Sequence, residues 1–144
     1  MPHTCEAALI TCEDYRLHQR KDGRNYISDF IKREGIDCDV ITRGGAIQDL
    51  VHPVQCEYRN CLLRDSSVST KLHHCTTIYL INHEGCGAYL GLNFYNKEME
   101  LAQHIKDLKE AKDIILKNYP NVEVKTYFAY LKEGTQDVFD IRPV

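Results

Sequence analysis

Apolar residues occur along the chain in short blocks that are separated by polar and glycine-containing segments. The blocks at 6–12, 37–42, 76–81 and 122–131 contain β-branched, aromatic or small apolar residues, a composition that is typical of strands. A weaker block at 137–141 predicts a short fifth strand. The pattern therefore predicts four or five strands distributed over the whole chain.

Between these blocks the apolar residues recur at helical spacing. One helix is predicted after Asp22 or Asn25, either of which could cap it, and ends at Gly35. Residues 46–51 predict a helical turn, and residues 96–119 predict a long amphipathic helix. We expect the buried side of the long helix to consist of its apolar residues Met99, Ala102, Ile105, Leu108, Ala111, Ile115 and Leu116.

The segment 53–64 shows no clear periodicity, and a short helix toward Leu72 is predicted to begin at Asp65, Ser66 or Ser67. Strands and helices thus alternate along the chain, which favours parallel strands joined by right-handed crossovers. We predict a single domain over residues 1–144. Its fold class is α/β, with three α/β/α layers and a mostly parallel central sheet of four to five strands.

Composition narrows the range of functions. The chain has 144 residues and a net charge of −3, with no basic cluster, so nucleic-acid binding is poorly supported. The first residues do not resemble a signal peptide, and no apolar stretch is long enough to span a membrane. We expect a cytoplasmic protein, in which an odd count of 7 cysteines argues against a disulfide framework.

Two motifs follow predicted strands directly. A Cys-x-Asp-x-Arg motif begins at Cys12, and a His-x-x-Cys motif joins His83 to Cys86. Because the carboxyl ends of parallel strands meet at one edge of the sheet, these side chains can converge there. Two thiolates and one imidazole suit zinc and leave one of four tetrahedral positions open, as in catalytic zinc sites. A structural zinc, or no metal at all, is the alternative interpretation.

Asp14 and Arg16 lie on the same side of an extended segment as Cys12. The carboxylate could orient a water molecule at the metal, while Arg16 holds it by a bidentate pair. If that pair opened, Asp14 could itself become the fourth metal ligand, so either Asp14 or water could fill the position. Gly87 is expected to open a helix, where its amide could bind an anion, although a simple helix start would look the same.

The other cysteines and histidines carry less information. The remaining cysteines are expected to be small buried hydrophobic residues or bystanders: Cys5, Cys38, Cys56, Cys61 and Cys75. A second metal site built from Cys56, Cys61 and residues 73–75 is disfavoured by its irregular spacing. The histidines outside the motif are expected to be exposed, with His18 as a candidate proton relay: His3, His18, His52 and His104.

Taken together, the segments TCEDYR and NHEGCGA resemble the two zinc-ligand motifs of the β-class carbonic anhydrases. The segment VITRGGAIQDL is similar to the Arg-Asn-Ala-Gly segment of that family, and the resemblance covers roughly residues 5–95. It implies one zinc ion per chain, bound by Cys12, His83 and Cys86. It also implies a catalytic dyad of Asp14 and Arg16.

The activity that the resemblance implies is reversible hydration of carbon dioxide to bicarbonate, with zinc-bound hydroxide as the nucleophile. The Gly87 amide would help to bind bicarbonate, and family members are usually dimers or tetramers. The long N-terminal arms of the family are missing before Cys12, and Arg-Gly-Gly-Ala replaces Arg-Asn-Ala-Gly. We therefore expect a small, divergent, N-terminally truncated branch. Alternatives are hydrolysis of carbonyl sulfide or carbon disulfide at the same zinc, or a non-catalytic zinc-binding or regulatory protein.

Overall fold

The computed structural model describes residues 3–144 and contains one five-stranded sheet. The strands, numbered along the chain, are β1 (Ala7–Thr11), β2 (Cys38–Thr42), β3 (Thr77–His83), β4 (Glu123–Leu131) and β5 (Phe139–Pro143). Their spatial order is β2-β1-β3-β4-β5. The first four strands are parallel, and β5 pairs antiparallel with β4. The predicted mostly parallel sheet is confirmed.

Four α-helices connect the strands: α1 (Tyr26–Glu34), α2 (Gln48–Val51), α3 (Cys56–Ser67) and α4 (Lys97–Asn118). Shorter helical turns are the 3₁₀ segments Tyr15–Leu17 and Leu90–Leu92 and the π-helical segment Val68–Leu72. Within residues 3–144 no helix combines the length and the apolar character that crossing a membrane requires.

Helices α1 and α4 lie on opposite faces of the sheet. Phe30 of α1 makes edge contacts with Tyr79 and Tyr127, at ring-centroid distances of 5.5 and 4.9 Å. The ring of His104 in α4 lies 5.0 Å from Phe128, the residue that follows Tyr127. Successive side chains of a strand point to opposite faces, so the two helices form the outer layers of an α/β/α sandwich.

Helix α1 begins and ends where the sequence predicts. The Asn25 side chain accepts a hydrogen bond from the Ser28 amide at 2.8 Å, which satisfies one free amide of the first turn. Gly35 ends the helix in the left-handed conformation, at φ 66°. Glycine adopts this conformation without the steric cost that a Cβ would add.

The prediction of a helix starting at Asp65, Ser66 or Ser67 is wrong. These residues belong to the last turn of α3, and the helical path continues through Val68–Leu72. The Ser66 hydroxyl donates to the carbonyl of Leu62 at 2.9 Å, one turn earlier, and does not cap a new helix. Serine can satisfy either role, so its presence did not distinguish a helix start from a helix interior.

The bounds predicted for α4 are confirmed, but the buried side predicted for its first half is wrong. Met99 and Ile105 are 55% and 42% exposed, whereas Glu100, His104 and Asp107 are buried. Met99 lies nine residues before the buried Leu108, which at about 100° per residue places it about 180° around the helix from Leu108. His104 lies four residues before Leu108 and is therefore only about 40° away from it. The core therefore receives His104, which was expected to be exposed, and not Met99.

Candidate metal centre

Three ligand-type side chains converge at the carboxyl ends of β1 and β3. Cys12 follows β1, His83 is the last residue of β3, and Cys86 lies in the following turn. One potential ligand atom of each lies within 4.8 Å of the other two, and the sulfur atoms are 3.7 Å apart. The residues are 3%, 1% and 2% exposed, respectively. The structure thus brings together the three residues that the sequence singled out.

The hydrogen bonding of His83 indicates which of its ring nitrogens is free to bind a metal ion together with the two sulfurs. Its Nδ1 donates to the backbone carbonyl of Glu84 at 2.9 Å. Its Nε2 is buried and has no hydrogen-bond partner among residues 3–144. Because a carbonyl can only accept, the neutral ring carries its proton on Nδ1 and presents a lone pair on Nε2. A buried lone pair beside two thiols fits a metal ion.

The two thiols also influence one another. The hydrogen bond from Cys86 is the largest cause of the lowered pKa of Cys12, and His83 lowers it further. The same hydrogen bond, together with burial, raises the pKa of Cys86. One thiolate therefore forms readily and suppresses the second. A cation between the sulfurs removes this conflict, because it stabilises both thiolates.

Backbone amides also favour the thiolate forms of Cys12 and Cys86. The nearby Gly45 amide lowers the pKa of Cys12, and the amides of Ala88 and Tyr89 act in the same direction on Cys86. Gly45 is in the turn after β2 and has a φ of 81°, in the left-handed region that favours glycine. The Arg-Gly-Gly-Ala segment thus places a backbone amide near the Cys12 sulfur, where it favours the thiolate.

Asp14 and Arg16 form a closed pair beside the three donors. Arg16 donates from Nη2 to Asp14 Oδ2 at 2.8 Å and from Nε to Oδ1 at 3.0 Å, and its backbone amide donates to Oδ1 at 2.9 Å. Asp14 Oδ2 lies 3.8 Å from Nε2 of His83. The carboxylate is therefore at the edge of the site, yet it is not one of the donors within 4.8 Å of one another.

Arg16 is itself held in place. Its guanidinium donates to the carbonyls of Gln136 at 2.7 Å and Gly85 at 3.1 Å. Burial alone would raise the pKa of Asp14, but the hydrogen bonds from Arg16 outweigh it and lower that pKa below its usual value. Asp14 is thus a fixed carboxylate that stays ionised near neutral pH.

Comparison with known proteins identifies the family. A sequence model described as "Putative carbonic anhydrase" matches residues 2–138. The chain belongs to this family. It is 27% identical over 139 residues to an uncharacterized protein of Rickettsia conorii, covering 92% of this chain and 72% of that one. An uncharacterized protein of Rickettsia bellii is 26% identical over 141 residues, with coverages of 94% and 82%.

Solved carbonic anhydrases share the fold. The enzyme from Streptococcus mutans superposes with a TM-score of 0.55 at 17% identity, covering 100% of this chain and 85% of that one. The β-carbonic anhydrase isoform I from Trichomonas vaginalis gives a TM-score of 0.55 at 15% identity, with coverages of 95% and 80%. At these identities the likeness establishes the α/β architecture, as the strand order above does independently.

Two expectations about this carbonic anhydrase family member are corrected by the structure. Gly87 does not open a helix: it is exposed within a turn closed by a hydrogen bond from the Tyr89 amide to the Cys86 carbonyl at 3.0 Å. His18 is half-buried rather than exposed, and its Nε2 donates to the backbone carbonyl of Cys12 at 2.8 Å. Its visible role is therefore to support the backbone of Cys12.

Two buried glutamates that sequence reasoning missed hold the turn after β3. Glu100 Oε1 accepts a hydrogen bond from the Gly85 amide at 2.7 Å, and Glu84 Oε2 accepts one from the Leu131 amide at 2.9 Å. The turn they hold carries Cys86. The sequence did contain an indication that Glu100 is buried. Positions 100 and 104 lie eight and four residues before Leu108, and residues at this spacing share one face of a helix.

Proposed function

We propose that this member of the carbonic anhydrase family is a zinc enzyme that catalyses the reversible hydration of carbon dioxide to bicarbonate. One zinc ion would be bound by Cys12, His83 and Cys86. The observation that carries the proposal is the buried, unpartnered Nε2 of His83, which shares a site with two sulfurs 3.7 Å apart. The fixed carboxylate of Asp14 beside this set favours a catalytic over a structural zinc.

The bound zinc would supply Lewis acidity, which makes water a nucleophile near neutral pH. Asp14 contributes an ionised oxygen 3.8 Å from His83 Nε2, where it can accept a hydrogen bond from a reacting water and orient it. Arg16 keeps that oxygen in place through its bidentate contact. We further propose that Asp14 stays off the metal, since three donors of Arg16 already hold it.

Bicarbonate needs at least one donor besides the metal. We propose that the Gly87 amide supplies it, because this amide follows a ligand residue, belongs to an exposed glycine and donates to no other group within residues 3–144. The turn conformation of Gly87 replaces the helix start that the sequence predicted. A free amide next to the ligand can bind an anion in a turn as well as at a helix start.

The test is stopped-flow hydration of carbon dioxide by zinc-loaded wild type and Asp14→Asn. We expect Asp14→Asn to keep its zinc and to lose at least about 10²-fold in kcat/KM, the usual contribution of a positioned proton-transfer group. Asp22→Asn is a matched control, because Asp22 pairs with Arg24 in the same two-residue spacing and hydrogen-bonds to no metal ligand within residues 3–144.

Two results would contradict the proposal. Zinc-loaded wild type that hydrates carbon dioxide no faster than the buffer alone would mean that the site binds zinc without this chemistry. If Cys12→Ser retained as much zinc as the wild type, Cys12 would not be a ligand. Folding of both variants is checked by circular dichroism, so that loss of the fold is not mistaken for loss of a ligand.

We also propose that the chain works as a homo-oligomer, a dimer or a tetramer. Large apolar side chains stand exposed in the segment just before α4, where Tyr95 is 91% exposed and Leu90 and Leu92 are also exposed. Several such side chains in one short segment are typical of surfaces that a partner covers. Light scattering would give a multiple of the 16.7 kDa chain mass if this holds and the single-chain mass if it does not. The cytoplasmic location stays a prediction.

A further inference from the structure

A second cluster of ligand-type side chains lies at the opposite edge of the sheet. Cys5 precedes β1, Cys75 precedes β3, and Asp39 is the second residue of β2. One potential ligand atom of each lies within 4.8 Å of the other two, and the sulfur atoms are 3.1 Å apart. Both cysteines are free thiols, and Cys75 is buried.

The carboxylate of this cluster is oriented by histidines. His73 Nδ1 lies 2.6 Å from Asp39 Oδ2, and its Nε2 lies 2.9 Å from His3 Nε2. The Cys5 amide donates to the His73 carbonyl at 3.2 Å, which ties the two segments together. A carboxylate held by an imidazole is the arrangement that commonly supports metal ligands.

We propose that Cys5, Cys75 and Asp39 form a second metal site, which takes a thiophilic divalent cation such as zinc. Two sulfurs and one oxygen match the donor preference of zinc and leave one tetrahedral position for water or a neighbouring imidazole. Two Zn–S bonds of about 2.3 Å at a tetrahedral angle set the sulfurs about 3.8 Å apart, so the 3.1 Å separation of the free thiols would widen on binding. Binding releases the thiol protons to solvent, and the cation then balances two thiolates and a carboxylate.

This site is separate from the Cys12 centre. Cys12 lies seven positions after Cys5, along β1 and its flanking residues, which at about 3.3 Å per residue amounts to about 23 Å. No residue is shared between the two clusters. The second site therefore goes beyond the proposed carbonic anhydrase activity, and either could fail without the other.

A Cys5–Cys75 disulfide is the competing state of the same thiols. It would make no use of Asp39, whereas the structure places that carboxylate within ligand reach of both sulfurs. The geometry thus favours a cation. The test must nevertheless distinguish the two, and a reductant that does not bind metals keeps the thiols available.

The experiment is cadmium titration of the full chain, followed by the thiolate-to-cadmium absorption band and by elemental analysis. We expect two ions per chain for wild type and one for Cys75→Ser, with the Cys12 centre intact. Cys12→Ser should also bind one ion. Cys61→Ser, which removes an exposed cysteine of α3, is the control and should still bind two.

Asp39→Asn provides a variant that keeps every thiol. We expect it to weaken the second binding event by at least about tenfold, since it removes the charged ligand and leaves the sulfurs. A wild-type stoichiometry of one that is unchanged in Cys75→Ser would overturn the proposal. So would peptide mapping that finds Cys5 joined to Cys75 in the isolated protein, together with no second ion after reduction.

Discussion

Replacement of Glu100 tests whether the turn that carries Cys86 depends on helix α4. Glu100 is 7% exposed, and its Oε1 accepts the Gly85 amide at 2.7 Å. A hydrogen bond to a charged group contributes about 1.5–3 kcal/mol. Loss of one buried methylene adds about 0.8 kcal/mol. Glu100→Ala should therefore lower the free energy of unfolding by about 2–4 kcal/mol.

Glu100→Gln separates charge from shape. It keeps an oxygen acceptor for Gly85 and loses only the charge, so we expect a smaller decrease of about 1 kcal/mol. The exposed Glu98, in the first turn of the same helix, provides the control Glu98→Ala, whose effect should stay within about 0.5 kcal/mol. Urea unfolding of metal-free protein, with chelator present, measures all three variants.

Acidification gives an independent check on Glu100. Burial by itself raises its pKa, but the nearby His104 ring, with Nε2 3.8 Å from Oε1, and the hydrogen bond from the Gly85 amide lower the pKa below its usual value. A lowered carboxylate pKa stabilises the fold above the ordinary glutamate value of about 4.3 and loses that contribution as pH falls. The difference between wild type and Glu100→Gln should therefore shrink below that pH. Equal stability of Glu100→Ala and Glu98→Ala would refute the reasoning.

Further predictions concern the hydrophobic core, the Gly45 amide near Cys12 and the rotation of α4. Leu80→Ala should lower the free energy of unfolding by about 2–5 kcal/mol in urea titrations, because Leu80 is fully buried in the central strand β3. Gly45→Ala should weaken zinc binding in a competition titration, since a Cβ would lie 3.0 Å from the Gln48 side chain and φ is 81°. Met99→Ser should change the unfolding free energy by less than about 0.5 kcal/mol, because Met99 is exposed; a loss like that of Leu80→Ala would mean that it is buried.

The convergence of Cys12, His83 and Cys86 could be predicted because each lies at or just beyond the end of a recognisable strand. A block such as 76–81 identifies its own end, and parallel strands bring their ends to one edge. The sequence also located the caps of α1, because Asn25 and Gly35 act on their own helix. Local chemistry of this kind does not depend on distant parts of the chain.

The packing of α4 could not be obtained in the same local way. Apolar residues occur on more than one face of its first half, and their spacing alone did not tell which face meets the sheet. The structure buries the polar side because Phe128 and Tyr89 cover the ring of His104, at centroid distances of 5.0 and 4.1 Å. The Asn82 amide completes the contact, with Nδ2 2.9 Å from His104 Nδ1. Such a choice depends on residues of other elements.

Both candidate metal sites depend on a quantity that the sequence does not display, the register of β1 against β3. Ala7 pairs with Thr77 and Thr11 with Ile81, an offset of 70 residues. The same offset places Cys5 opposite position 75 and Cys12 opposite position 82, next to His83. A shift of two residues would separate the thiols at one edge and the donors at the other. If Cys75→Ser and Cys12→Ser each lose one metal ion, the register holds at both ends of β1 in solution.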